Sequence, residues 1–268
     1  MERNRGILLL ILNVIGFLGT VIVNALAVTL PLNNKTTSQL SDQYPNLFVP
    51  AGLTFSIWGI IYILLAVLVI FQVIVTLRRE EEGLSAFNKI GPWFFLSSIL
   101  NMGWIFAWQY ELVPLSLIVM LLLLKCLLNI YNKLNIGRKG PSRKIQYLTH
   151  LPFSLYLGWI TIATIANATA LLVASNWNRF GLSEQFWAAT VILVGIAITL
   201  SVLATKGDIY FGLVADWAIL GILLKRLADP VHAQGVIIVT IVGLVLVTLG
   251  IVAQITKKRV YATELKGT

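Results

Sequence analysis

Charge is scarce in this chain: Asp, Glu, Lys and Arg make up only 12% of 268 residues, against 58% hydrophobic residues and a mean hydropathy of +0.87. That balance excludes an ordinary soluble domain. Cysteine is scarcer still. Cys126 stands alone, which excludes an internal disulfide, and the two histidines, His150 and His232, fall in no HExxH or CxxC spacing. Zinc and haem-attachment signatures are therefore missing, and no metal ligand is expected. No polar stretch is long enough for a large extramembrane catalytic domain, because about eight spans of about 20 residues would occupy roughly 160 positions. The chain also lacks a basic helix or an aromatic RNA-binding motif. The net charge of +9 sits in short loops between apolar stretches and does not point to nucleic acid.

What is present is a succession of charge-free or charge-poor runs of membrane length. They are Ile7 to Leu30, Ala51 to Leu77, Ile90 to Tyr110, Leu112 to Tyr131, Ile145 to Val173, Gln185 to Thr205, Ile209 to Leu224 and Val231 to Thr256. They predict an all-α polytopic transmembrane bundle of about eight spans, since lipid cannot satisfy exposed backbone groups. Lys125 in the fourth span and Asp216 in the short seventh are the ionisable residues away from span ends. Arg3, Arg5 and the Ala25-Leu26-Ala27 triplet imitate a secretory signal, but the first apolar run is longer than a signal core and is read as a retained span. With the amino terminus inside, the outer segments hold only Lys35, Arg179, Lys225 and Arg226; the inner ones hold the remaining basic residues outside the spans, from Arg78 and Arg79 to Arg138, Lys139 and Lys266. This imbalance predicts cytoplasmic termini in a bacterial or archaeal cytoplasmic membrane. Lys125 lies near the inner end of its span, where it can snorkel to the headgroups.

Three spans carry a marked face. Phe55, Trp58 and Tyr62 follow helical spacing on the second, and Asn101, Trp104 and Trp108 on the third. Tyr156, Trp159, Ala163, Ala166 and Asn167 share a stripe on the fifth, because steps of three and four residues return to one side of an α-helix. At 1.5 Å per residue Trp58 lies ~10 Å below its outer end, Trp104 and Asn167 ~9 Å below theirs, and Trp159 ~20 Å deep. A cavity lined by these groups would open outward beneath the irregular stretch from Pro31 to Pro50, a candidate lid. Trp93, Trp177 and Trp187, near span ends, read as interfacial anchors. For the deeper tryptophans, bulky packing competes with ligand binding. Tight helix contacts in lipid favour small residues, however, and buried indole N–H groups want acceptors. Asn101 and Asn167 could equally bond across helices. A sterol-recognition pattern at Leu128, Tyr131 and Lys133 is loose enough to arise by chance.

The same stripes resemble the TspO/MBR family of tryptophan-rich sensory proteins, related to the mitochondrial translocator protein or peripheral benzodiazepine receptor. Pro50 followed by Trp58 and Tyr62, Asn101 followed by Trp104 and Trp108, and Trp159-Ile-Thr-Ile-Ala163-Thr-Ile-Ala-Asn167-Ala168 are similar to that family's second-, third- and fifth-helix motifs. The likeness covers residues 1–175. It implies a five-helix core that binds porphyrins and other flat hydrophobic ligands, often as a homodimer, with Trp58, Trp108, Trp159, Ala163 and Ala166 at cavity positions. Ile105 stands where the family often has a polar residue, and Leu155 where it has a proline, with Pro152 a turn earlier. Residues 176–268 would add three transmembrane helices and a short cytoplasmic tail.

The reading is thus a sensory or translocator-like membrane protein with a porphyrin- or tetrapyrrole-like ligand in an intrahelical apolar pocket. Its partners would be the bilayer and that ligand; no resident cofactor and no catalysis are expected, since no acid/base pair stands out. The ligand-binding set comprises Phe55, Trp58, Tyr62, Asn101, Trp104, Trp108, Tyr156, Trp159, Ala163, Ala166 and Asn167. One alternative is a proton-coupled secondary transporter working through Asp216. Another is an assembly subunit whose small residues, Gly16 and Gly19, Gly212 and Ala215, or Gly243 and Gly250, admit a partner's helices.

Overall fold

A computed structural model of the chain describes residues 2–30, 32–137, 141–229 and 233–264. Pro31, Arg138, Lys139, His232 and Lys266 lie outside the described residues. Every regular element among those described is helical: α1 (Glu2–Thr29), α2 (Thr37–Asp42), α3 (Ile57–Arg78), α4 (Glu81–Ile90), α5 (Trp93–Gln109), α6 (Val113–Leu134), α7 (Arg143–Ile145), α8 (Leu151–Ala174), α9 (Glu184–Lys206), α10 (Ile209–Ala228) and α11 (Gln234–Glu264). A 3-10 turn, Gly52–Ser56, leads into α3, and a π turn, Gln146–His150, leads into α8.

The protein is an all-α polytopic bundle. Six of its helices are long and apolar enough to cross a membrane, and the α4–α5 pair makes a seventh if counted as one span. Large aliphatic side chains cover the outside, among them Ile15 at 58% exposure and Ile63 at 66%, as suits a surface solvated by hydrocarbon. The remaining expected span is α10. It has 20 residues but carries Asp216, Lys225 and Arg226, too many charges for an apolar window of spanning length.

Two boundaries differ from the sequence reading for identifiable reasons. The third span starts at Trp93, because Gly91 takes a left-handed φ of 55° and Pro92 follows it, bending α4 away from α5 by 48°. The fifth enters through the π turn, in which the Leu151 N–H donates to the Gln146 carbonyl. Pro152 has no N–H to continue an ordinary helical ladder across that joint.

α1, α3, α5, α6 and α8 form a closed ring: α1 packs on α3 and α5, α5 on α6, α6 on α8, and α8 back on α3. α10 lies against α8, and α9 and α11 pack on α10, with α9 also touching α8. The small residues proposed for a partner's helices are used within the molecule. Gly16 and Gly19 lie against Ser98 and Met102 of α5, Gly212 against Leu203 and Ile251, Gly243 against Ile196, and Gly250 against Leu203.

Candidate functional site

The helical spacing does converge the indoles. Trp58 of α3 stands 6.5 Å from Trp104 of α5 and 6.2 Å from Trp159 of α8, and Trp104 stacks on Trp108 at 6.1 Å and 16°. Phe55 meets Trp159 edge-on at 5.9 Å. These are offset and edge-to-face geometries favoured by ring quadrupoles. They surround a small cavity of ≈ 50 Å³, lined by Phe55, Trp58, Trp104, Trp108, Trp159, Ala163, Ala166 and Asn167 among others. Ala163 and Ala166 leave space on α8 where larger side chains would fill it.

Tyr62, Asn101 and Tyr156 do not line this cavity. Tyr62 stacks on Trp58 at 5.4 Å and faces a groove of ≈ 500 Å³ between α1 and α3. Asn101 is committed to side chains: it accepts from Asn24 Nδ2 at 2.7 Å, and its own Nδ2 donates to Tyr156 Oη at 3.0 Å. That chain ties α1, α5 and α8 together and supports the tryptophans from behind, with Tyr156 edge-on to Trp58 at 5.9 Å. Asn167 combines both roles, lining the cavity while its Nδ2 donates to Ser116 Oγ of α6 at 3.0 Å.

The polar balance of the cavity is incomplete. Trp104 and Trp159 are 6% and 3% exposed, yet neither Nε1 has a hydrogen-bond partner among the described residues. Buried indole N–H groups ordinarily find an acceptor, and one left unsatisfied costs about 1–3 kcal/mol. Trp108 Nε1, by contrast, donates to the Thr37 carbonyl at 3.4 Å.

Thr37 belongs to the outer segment read as a lid. The segment is built around α2, whose capping box pairs the Gln39 N–H with Thr36 Oγ1 at 3.2 Å and the Thr36 N–H with Gln39 Oε1 at 2.8 Å. Leu40 is buried beneath it, and Thr37, Ser41, Phe48 and Pro50 roof the cavity. Fastenings run to α5: Asn33 Nδ2 donates to the Gln109 carbonyl at 3.0 Å, Gln109 Nε2 to the Lys35 carbonyl at 2.9 Å, and Lys35 pairs with Glu111 at 2.8 Å. Tyr44 packs on Trp108 at 5.7 Å, and burial together with the Glu111 carboxylate raises its hydroxyl pKa above the ordinary tyrosine value.

Sequence reasoning missed the contribution of α10. Ala218 and Ile222 line the cavity. Trp217 Nε1 donates to the Thr54 carbonyl at 2.9 Å, the Ala51 N–H donates to the Gly221 carbonyl at 2.9 Å, and Lys225 pairs with Asp42 of the lid. No aromatic stripe on α10 announced this: the cavity lining it supplies is Ala218 and Ile222, ordinary residues of an apolar span. Asp208 was missed as well. Its carboxylate accepts from Tyr131 Oη at 2.9 Å and Ser154 Oγ at 2.6 Å and caps α10 through the Tyr210 and Phe211 N–H groups. An Asp just before an apolar run was the available signal. Tyr131 is turned inward by this bond, so the loose sterol pattern does not present Leu128, Tyr131 and Lys133 on one face. Asp216 lies away from the cavity, and its one hydrogen bond among the described residues is with Thr248 Oγ1 at 2.8 Å.

No curated protein and no solved structure matches the chain. A family model described as TSPO-like protein matches residues 10–253, running on through α9 and α10 into α11, well past the first 175 residues to which the motifs apply. With three aromatic stripes turned onto one roofed cavity that α10 helps to wall, and a match over most of its length, the chain belongs to the TSPO-like protein family.

Proposed function

We propose that the tryptophan cavity receives a flat hydrophobic ligand of porphyrin or tetrapyrrole type, and that the protein acts as a sensor or translocator for it. The observation that carries this reading is that Trp104 and Trp159, both lining the cavity, have buried indole N–H groups without acceptors among the described residues. A planar ligand with ring nitrogens or carbonyl oxygens supplies acceptors and π-faces together. At ≈ 50 Å³ the cavity is closed down, well below the ~300 Å³ at which ligand sites begin, so occupancy requires its wall to open. The protein binds and does not catalyse in this reading, and its termini face the cytoplasm.

The test is a titration of purified protein in nanodiscs with protoporphyrin, followed by tryptophan quenching. Saturable quenching is expected, with Trp159→Ala weakening binding about tenfold or more. No saturation, or an affinity indifferent to that substitution, would overturn the reading.

A proton-coupled transporter is the second reading. It is favoured by Asp216 Oδ1, buried without a partner among the described residues. Proton-driven uptake in proteoliposomes that Asp216→Asn abolishes would select it over the first.

A further inference from the structure

The tryptophan cavity has a neighbour. Phe48, 3% exposed, lines it and also lines a recess of ≈ 450 Å³ on the outer side, between the Pro45–Phe48 stretch, the end of α8 and the first turns of α9. A single aromatic ring therefore stands in the wall shared by two spaces. The Asn46 side chain holds the backbone there, its Oδ1 accepting from the Phe48 and Val49 N–H groups at 3.0 and 3.2 Å, while the Phe48 ring has its own torsions to turn.

The two spaces differ in chemistry. The inner one is walled by indoles and alanines. The recess is apolar where it is buried, at Phe48 and Ala188, and polar at its rim, at Asn176, Asn178, Arg179 and Glu184. Its side is an aromatic cluster, Trp177 edge-on to Trp187 at 4.7 Å. These are the residues that sequence position alone assigns to the interfacial belt.

The turn carrying Arg179 is held in an unusual backbone. Arg179 and Phe180 have φ of 57° and 52°, and Gly181 follows at 76°. Such left-handed conformations are unfavourable for side-chain-bearing residues and persist where the surroundings impose them, often at ligand-contacting turns. Here the Trp187 indole N–H donates to the Arg179 carbonyl at 2.9 Å and the Phe180 N–H to Asn178 Oδ1 at 3.0 Å. The turn places the Arg179 side chain on the rim of the recess. Its ion-pair partner Glu184 is 3.8 Å away, with both side chains almost half exposed, so the pairing is loose. A ligand carboxylate can compete with Glu184 for Arg179, the half-exposed Glu184 side chain turning out to solvent.

We propose that the recess and the tryptophan cavity are two halves of one site for a flat amphipathic anion: its ring system extends from the recess onto the indoles, its carboxylate meets Arg179, and the halves join when the Phe48 ring turns aside. The proposal rests on the ligand reading of the tryptophan cavity. The recess brings the volume that the closed cavity lacks, within the range of small-molecule sites, and a fixed cation that the cavity does not contain.

The experiment compares protoporphyrin IX, which bears two carboxylates, with its uncharged dimethyl ester, on the full-length protein in neutral-lipid nanodiscs. The diacid is expected to bind at least ~10-fold more tightly than the diester, as a charge-assisted contact predicts. Arg179→Gln should reduce the diacid to the level of the diester and leave the diester unchanged. Phe48→Leu, which keeps the core filled, should speed association of both. Equal affinity of diacid and diester in the unsubstituted protein, or an Arg179→Gln effect of equal size on both, overturns the two-part site while leaving the tryptophan cavity as a binding site. Absence of saturable binding by either compound overturns the cavity reading, and this proposal with it.

Discussion

Two aspartates show how little of a residue's role is visible before its neighbours are known. Asp216 draws attention because it interrupts an apolar run, yet among the described residues its one hydrogen bond is with Thr248, and it stands outside the cavity. Asp208 draws none, because it falls between two runs and reads as a loop charge. It is 3% exposed and joins α6, α8 and α10 through Tyr131, Ser154 and the first N–H groups of α10. Removing it leaves two buried hydroxyls and a helix start unsatisfied. Asp208→Ala is therefore expected to lower unfolding free energy by roughly 2–4 kcal/mol. Asp208→Asn keeps one acceptor oxygen and should lose less. Denaturant titration in mixed micelles distinguishes the two, and equal stability of both variants with the parent would show that the network carries no weight. The tryptophans were legible because each sits about one turn from another aromatic residue on the same helix, Trp58 from Tyr62, Trp104 from Trp108 and Trp159 from Tyr156. Asn101 was legible as a buried amide but not as to its partners, since Asn24 and Tyr156 lie on other helices.

Elements were read more securely than their joints. Apolar length alone places α1, α3, α6, α8, α9 and α11. The break at Gly91-Pro92 was overrun because Ile90 and Trp93 are both apolar and hydropathy does not register a change of direction. The position of α10 was hidden for another reason: it meets the 3-10 turn before α3 by removing bulk. A Cβ added at Gly221 would fall onto the Thr54 hydroxyl, with Thr54 Cβ and Cγ2 only 2.9 Å away. Gly59, on α3 nearby in the chain, has nothing within 4 Å of an added Cβ. Gly221→Ala is accordingly expected to cost about 1–3 kcal/mol through overpacking. Gly59→Ala should be neutral or slightly stabilising, by up to about 1 kcal/mol. Thermal unfolding of the pair settles the matter, and indistinguishable variants would refute the close-packing account.

At the scale of the whole molecule, the distribution of basic residues predicts which way the bundle faces. Leu182, 46% exposed in the α8–α9 connection, lies on the outer side in that orientation, and Ser85, exposed on α4, on the inner. Cysteines introduced there should react oppositely with an impermeant maleimide applied to intact cells: Leu182→Cys labelled at once, Ser85→Cys only after permeabilisation. The native Cys126, 4% exposed, gives little background. The reverse pattern would invert the proposed topology. Fold class and the ring of five were legible because the bilayer imposes length and the motifs impose faces. The lateral addition of α9, α10 and α11 was legible only as three more spans. Their attachment has a mechanical result. Asp42 and Ala51, at two places along the outer segment, are held by Lys225 and Gly221 of one helix. Whatever raises that segment does work against α10, and by thermodynamic reciprocity whatever shifts α10 biases the raised and lowered states. If the cavity binds as proposed, the second layer of helices is thereby a lever arm, through which events elsewhere in the membrane would be felt as a change in affinity at the indoles.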